Sequence, residues 1–136
     1  MARDKDAAQR LQQVARFADL SDKEIKKMAD AGTFLTLPAN WALMSENQPA
    51  DKAYVLLAGE VAIRRRGATV ATATAGDVIG EVGVLEERLR TAGVVSTTEL
   101  EVIHFTKEDL SALVAQIPAL DRALRATAAE HLAHGE

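Results

Sequence analysis

Residues Gly76 to Ala92 read GDVIGEVGVLEERLRTA: a mostly apolar run broken by Gly80 and Gly83, with Glu81 directly after Gly80 and Arg90 nine positions later. Ionised groups inside an apolar run are costly unless paired or given a complementary ligand. The stretch also lacks the alternation of its flanks. ATVATAT (68–74) before it and AGVVSTT (92–98) after it both read as strands, rich in β-branched residues. The segment Ile79–Ala92 is therefore an insertion within a β framework, and a non-strand insertion of that size is more often functional than decorative.

Working outward, the same strand signature recurs in TFLTL, WALM, AYVLL, EVAIRR and LEVIHFT. Turn signals separate them at Pro38-Ala39-Asn40, Glu46-Asn47-Gln48-Pro49, Ala58-Gly59-Glu60, Arg66-Gly67 and Ala75-Gly76-Asp77. Short, often-punctuated strands predict a mainly β fold, an antiparallel barrel or jelly roll. Helices flank it. Leu11, Val14, Ala15 and Ala18 recur at helical spacing between Lys5 and Ala18, with Phe17 at the edge of that face. Ser21 and Glu24 form a capping box that opens a second helix carrying Ile25, Met28 and Ala29 inward, and Gly32 ends it. Thr106 is the expected N-cap of a further helix with the apolar stripe Leu110, Leu113, Val114 and Ile117, and Pro118 opens a last one carrying Leu120, Leu124 and Leu132. The expected organisation is one domain over 1–136, with helices at 5–31, the β-barrel at 33–105, the insertion at 79–92 and C-terminal helices at 107–134.

Composition narrows the function. The 136 residues are 48% hydrophobic, enough for a core without staples, and 16 basic against 20 acidic residues give a net charge of −4. That balance disfavours a broad nucleic-acid surface, so any phosphate bound should be small. The absence of cysteine rules out a disulfide framework, an iron–sulfur cluster and a thiol nucleophile. A charged start without a signal-like apolar core, and no membrane-length apolar run, make the cytoplasm the expected compartment, with no membrane partner.

Within the insertion, Gly80 and Gly83 permit close backbone approach, so successive N–H groups of a short turn near Glu81 could converge on an anion. Arg90 would close on the same anion, while Glu81, which can only accept, would take a neighbouring hydroxyl. A phosphate for the arginine and a sugar hydroxyl for the glutamate describe a nucleotide. The alternative for these two charges is an internal salt bridge that staples the loop.

GEVGVLEERLRTA resembles the phosphate-binding cassette of cyclic nucleotide-binding domains, the family of the regulatory subunits of cAMP-dependent protein kinase and the bacterial catabolite activator. FADLSDKEIKKMA, the ADKAYVLLAGEVAI hairpin and VIHFTKEDLSALV resemble their counterparts in the same family. The resemblance implies a cAMP or cGMP ligand, no cofactor and a non-catalytic sensor or regulatory module. It implies that Gly80 and Glu81 hold the ribose 2′-hydroxyl, that Arg90 pairs with the cyclic phosphate, and that backbone N–H groups of Gly83 and Thr91 cradle it. Val82 and Ala92 complete the cassette; Val70, Ile79, Val82 and Val95 are candidates for an apolar wall around ribose and base. Thr91 makes cGMP acceptance plausible in the family's pattern. Leu89, where the family often has proline, and Asn47, where a glycine is common, depart from it. The chain ends after the C-terminal helices, which implies a standalone domain whose effector is a protein in trans, with a homodimer as one possible arrangement.

The alternatives are a degenerate, ligand-independent protein-interaction module on the same fold and a cupin-like metalloenzyme, which would need a His and Glu cluster the sequence lacks. His131 and His134 lack further metal ligands, and His104 fits a satisfied histidine better than a catalytic base. Arg64-Arg65-Arg66 reads as a solvated hairpin tip, and Trp41 as either core or cover over the barrel surface.

Overall fold

The computed structural model describes the backbone of residues 2–86 and 92–133, with side chains over 7–85 and 92–130. Helix α1 (Ala2–Gln12) is followed by a 3-10 turn (Ala15–Phe17) and α2 (Asp22–Ala31). One continuous helix was expected up to Ala18. The tighter turn wins because i→i+3 geometry stacks Val14, Phe17 and Leu20 on one side, and all three are buried in the same apolar cluster. At α2 the capping box forms: Ser21 Oγ accepts from the Glu24 N–H at 3.2 Å, and the Glu24 carboxylate accepts from the Ser21 N–H at 2.9 Å.

Among the described residues eight strands follow: β1 (Thr33–Leu37), β2 (Ala42–Met44), β3 (Lys52–Ala58), β4 (Glu60–Arg65), β5 (Ala68–Thr74), β6 (Val78–Ile79), β7 (Gly93–Ser96) and β8 (Leu100–Thr106). They form two four-stranded antiparallel sheets, ordered β1-β8-β3-β6 and β2-β7-β4-β5, a jelly-roll-like sandwich rather than a closed barrel. Strand β6 is an addition to the expected set. Its two residues pair with Tyr54 and Val55 of β3, so Ile79, placed by the sequence in the insertion, belongs to a sheet.

The burial pattern explains why AYVLL is a continuous apolar run. Leu56, Val102 and Leu100 fill the space between the sheets with Val61, Ile63 and Val94. Val55, Ile103 and Phe105, on the other face of the same sheet, pack against the helices with Phe17, Ile25 and Met28. A strand covered on both faces has no polar side to alternate with. Asn47 sits at φ 64°, in the left-handed region that asparagine tolerates better than most residues, which is why it can stand in for glycine in that turn. Trp41 is 50% exposed at the start of β2, so it is not core.

Helix α3 (Glu81–Glu86) lies between β6 and β7, and α4 (Lys107–Gln116) and α5 (Pro118–Ala133) close the chain. Thr106 caps α4, its Oγ1 accepting from the Asp109 N–H at 3.1 Å. Leu110 and Leu113 of α4, Ile117 at the junction, and Leu120 and Leu124 of α5 are buried in the helix-facing cluster, which also contains Val84 of α3.

Candidate functional site

The path into the site starts at a tight turn. Asp77 Oδ2 accepts from the Thr74 N–H at 2.9 Å, and the Asp77 carbonyl accepts from the Leu56 N–H at 2.9 Å, which fixes the turn to β3. Two residues of β6 carry the chain to Gly80, whose φ of 91° lies where a Cβ is disfavoured. This reversal releases the chain from the sheet edge and starts α3 at the next residue.

Glu81, the first residue of α3, is 0% exposed. Burying a carboxylate is expensive enough that it needs a specific reason. Gly83 and Val84 are also buried and Val82 is half-buried. Val84 and Leu85 tie α3 to the helix-facing cluster, and among the described residues α5 is the main neighbour of α3. Arg90, Thr91 and Leu89 lie outside the described residues. Ala92, at the return to β7, is half-buried and packs on the inter-sheet cluster.

The candidates for the apolar wall lie in different environments. Ile79 is buried between the sheets. Val70 is 50% exposed: Ile63 pairs with Ala71 and Arg64 with Thr69, so Val70 has no register partner and falls at a bulge. Val95 is half-buried and, by strand alternation, faces away from the inter-sheet neighbours of Val94. The inward positions of β5 are Ala71 and Ala73 instead, a small-residue surface that the sequence reading passed over.

His104 on β8 stands directly opposite Tyr54 on β3, ring centroids 5.3 Å apart and tilted by 57°. Partial burial, and then the charge of Lys52, lower its pKa below the ordinary histidine value, with Asp51 and Asp109 acting in the opposite sense. Among the described residues no group of three or more His, Asp or Glu is gathered to hold a metal ion, and no helix is long and apolar enough to cross a membrane.

The sequence missed one polar cluster. Arg16, on the 3-10 turn, donates to Glu130 Oε2 at 2.8 Å, Thr127 Oγ1 at 3.2 Å and Asp77 Oδ1 at 3.3 Å. It borders a cleft of about 620 Å³ that Arg10, Gln13, Asp77 and Glu130 also line. The partners lie 61 to 114 residues away in the chain, so no local pattern points to them.

A family profile described as Cyclic nucleotide-binding domain matches residues 34–117. The chain is similar to a cAMP-dependent protein kinase regulatory subunit of Yarrowia lipolytica, 33% identical over 113 residues that cover 82% of this chain and 30% of that protein. It is also similar to an uncharacterized NTE family protein of Mycobacterium bovis, 32% identical over 88% of this chain and 21% of that protein. The chain thus spans less than a third of either relative. Among solved structures, one described as Sp-2Cl-cAMPS bound to PKAR CBD2 superposes with a TM-score of 0.85, covering 98% of this chain and 89% of that one at 18% identity. At that identity the likeness speaks for the fold.

Proposed function

This chain belongs to the cyclic nucleotide-binding domain family, and from that premise we propose that it binds cAMP or cGMP in the segment 79–92 and acts as a non-catalytic sensor. The observation that carries the reading is Glu81: a fully buried carboxylate, set immediately after a reversal at Gly80, at the head of a short helix that the β framework does not need. A carboxylate accepts but does not donate, so it is suited to a ribose hydroxyl and unsuited to phosphate. Arg90 is the proposed partner of the cyclic phosphate, through a charge-assisted and bidentate contact, with Gly83 and Thr91 N–H groups beside it. Thr91 is the residue through which cGMP would be accepted as well as cAMP.

The same packing supplies a route out of the site. Val84 and Leu85 share a cluster with Leu113, Ile117, Leu120 and Leu124, so displacement of α3 by a ligand is felt directly by α4 and α5. Close-packed interfaces of this kind shift between discrete arrangements rather than deform smoothly. A protein effector in trans would read that shift.

Calorimetric titration with cAMP and cGMP tests the reading on the wild-type chain, Glu81→Ala and Arg90→Ala. Saturable binding at one site that weakens by about tenfold or more in each variant is expected, since hydrogen bonds to charged groups contribute about 1.5–3 kcal/mol. Folded protein that gives no heat with either nucleotide would refute it and turn attention to a ligand-independent interaction module.

A further inference from the structure

We propose that the outer face of the sheet β2-β7-β4-β5 is the surface through which two copies of this chain associate, with Glu60 of each copy against Arg64 of the other. The two sheets are covered unequally. Among the described residues the apolar cluster beneath the helices draws on β3, β6 and β8 of the first sheet and on no strand of the second. Strand alternation defines the second sheet's outer face. Val61, Ile63, Ala73 and Val94 point into the inter-sheet cluster, so Glu60, Ala62 and Arg64 of β4, Thr72 of β5 and Val95 of β7 point out. The register carries one uncharged row across all four strands, Ala42 beside Val95, Val95 beside Ala62 and Ala62 beside Thr72. Trp41, next to Ala42, and Val70 of β5 are the large hydrophobic residues left exposed among the described residues, and they stand at the two edges of this same sheet.

The charges select the occupant. Along β4 the outward order is acid, alanine, base, with Glu60 two residues before Ala62 and Arg64 two residues after it. A two-fold axis lying along the uncharged row, across the strands, sets each β4 antiparallel over its copy. Ala62 then faces the partner subunit's Ala62, Glu60 faces the partner subunit's Arg64, and Arg64 faces the partner subunit's Glu60. Sheets stacked face to face lie about 10 Å apart, a gap that a facing glutamate and arginine can span. A two-fold axis along the strands would set β4 over β7 instead and forfeit both pairs. The pattern is thus self-complementary in one orientation, which is what an isologous interface requires. Both side chains are already oriented by short contacts: the Glu60 carboxylate accepts from Thr97 Oγ1 at 2.9 Å, and Arg64 donates to the Gly67 carbonyl at 2.6 Å. The size of the face sets the strength. Four strands about 4.8 Å apart and about five residues long present on the order of 300 Å² in projection, well below the roughly 800 Å² per partner of a standard interface, so association is expected only near 0.1 mM and above, as an order of magnitude.

Sedimentation velocity of the full chain without nucleotide, from about 10 μM to about 1 mM, tests the surface independently of the nucleotide reading. The wild type should pass from monomer towards dimer within that range. Glu60→Lys sets a lysine against the partner subunit's Arg64, and Arg64→Glu sets two glutamates together, so each variant alone should stay monomeric. Mixed in equal amounts, the two variants form both opposite-charge pairs, and the dimer should return. Ala42→Glu, an exposed position in the row on the axis, brings like charges together and should also stay monomeric. Circular dichroism establishes that each variant is folded, and the return of the dimer in the mixture separates lost complementarity from damage to the fold. A wild type that remains monomeric at the highest concentration would overturn the proposal. So would a dimer that survives Ala42→Glu, or a mixture of the two charge variants that does not associate.

Discussion

Two glycines at hairpin turns provide a controlled comparison of backbone strain against steric exclusion. Gly59 (φ 98°) joins β3 to β4, and Gly67 (φ 81°) joins β4 to β5. Alanine at either site meets the same conformational penalty, about 1–2 kcal/mol for an L-residue held at positive φ. The surroundings differ. A Cβ on Gly67 would meet nothing within 4 Å, whereas one on Gly59 would run into the Glu99 carbonyl oxygen and lie 2.7 Å from Leu100 Cδ2 and 2.8 Å from Thr98 Oγ1. None of these neighbours can yield cheaply. Leu100 is fully buried, and Thr98 Oγ1 accepts from the Glu60 N–H at 3.0 Å and donates to the Glu99 carbonyl at 2.9 Å. Forced overpacking adds about 1–3 kcal/mol. Gly67→Ala should thus cost about 1–2 kcal/mol and Gly59→Ala about 2–5 kcal/mol, summing the two effects. Urea unfolding followed by far-UV circular dichroism measures both, with the slope against denaturant expected to be unchanged. Equal losses in the two variants would show that Glu99 and Thr98 do not confine the Gly59 turn, and the account of that hairpin would be wrong.

The remaining expectations are more local. His104 has a lowered folded pKa, so in acid the unfolded chain takes up its proton first; stability is complete above the ordinary histidine pKa and falls as pH drops through the folded value. Between pH 7 and 5 the wild type should therefore lose more stability than His104→Gln, and equal losses in denaturant titrations would contradict the assignment. Thr106→Ala removes the acceptor for the Asp109 N–H at the start of α4 and should cost about 0.5–2 kcal/mol in thermal unfolding, while an unshifted transition would show that water serves the cap equally well.

Local chemistry made much of this molecule legible in one dimension. The Ser21–Glu24 box, the Thr106 cap and Pro118 at the head of α5 depend on residues within a turn of one another, so their spacing alone declared them. The strand runs and their turns were equally readable, because a strand buried on one or both faces must carry its apolar side chains in the sequence. The oddity of Glu81 inside an apolar run was visible too. What tertiary structure decided was everything that depends on a distant partner. Strand β6 has only two residues and exists because β3 offers its edge, while the 3-10 turn replaced a helix because Val14, Phe17 and Leu20 had to share one buried side. The bulge at Val70 leaves that side chain half exposed, with Ala71 and Ala73 facing inward. Arg16 gave no local sign at all, since its meaning comes from Asp77, Thr127 and Glu130 arriving beside it only when the chain has folded. Short-range hydrogen bonds and hydrophobic periodicity are written into neighbouring residues; long-range ion pairs, edge pairing and burial belong to the assembled fold.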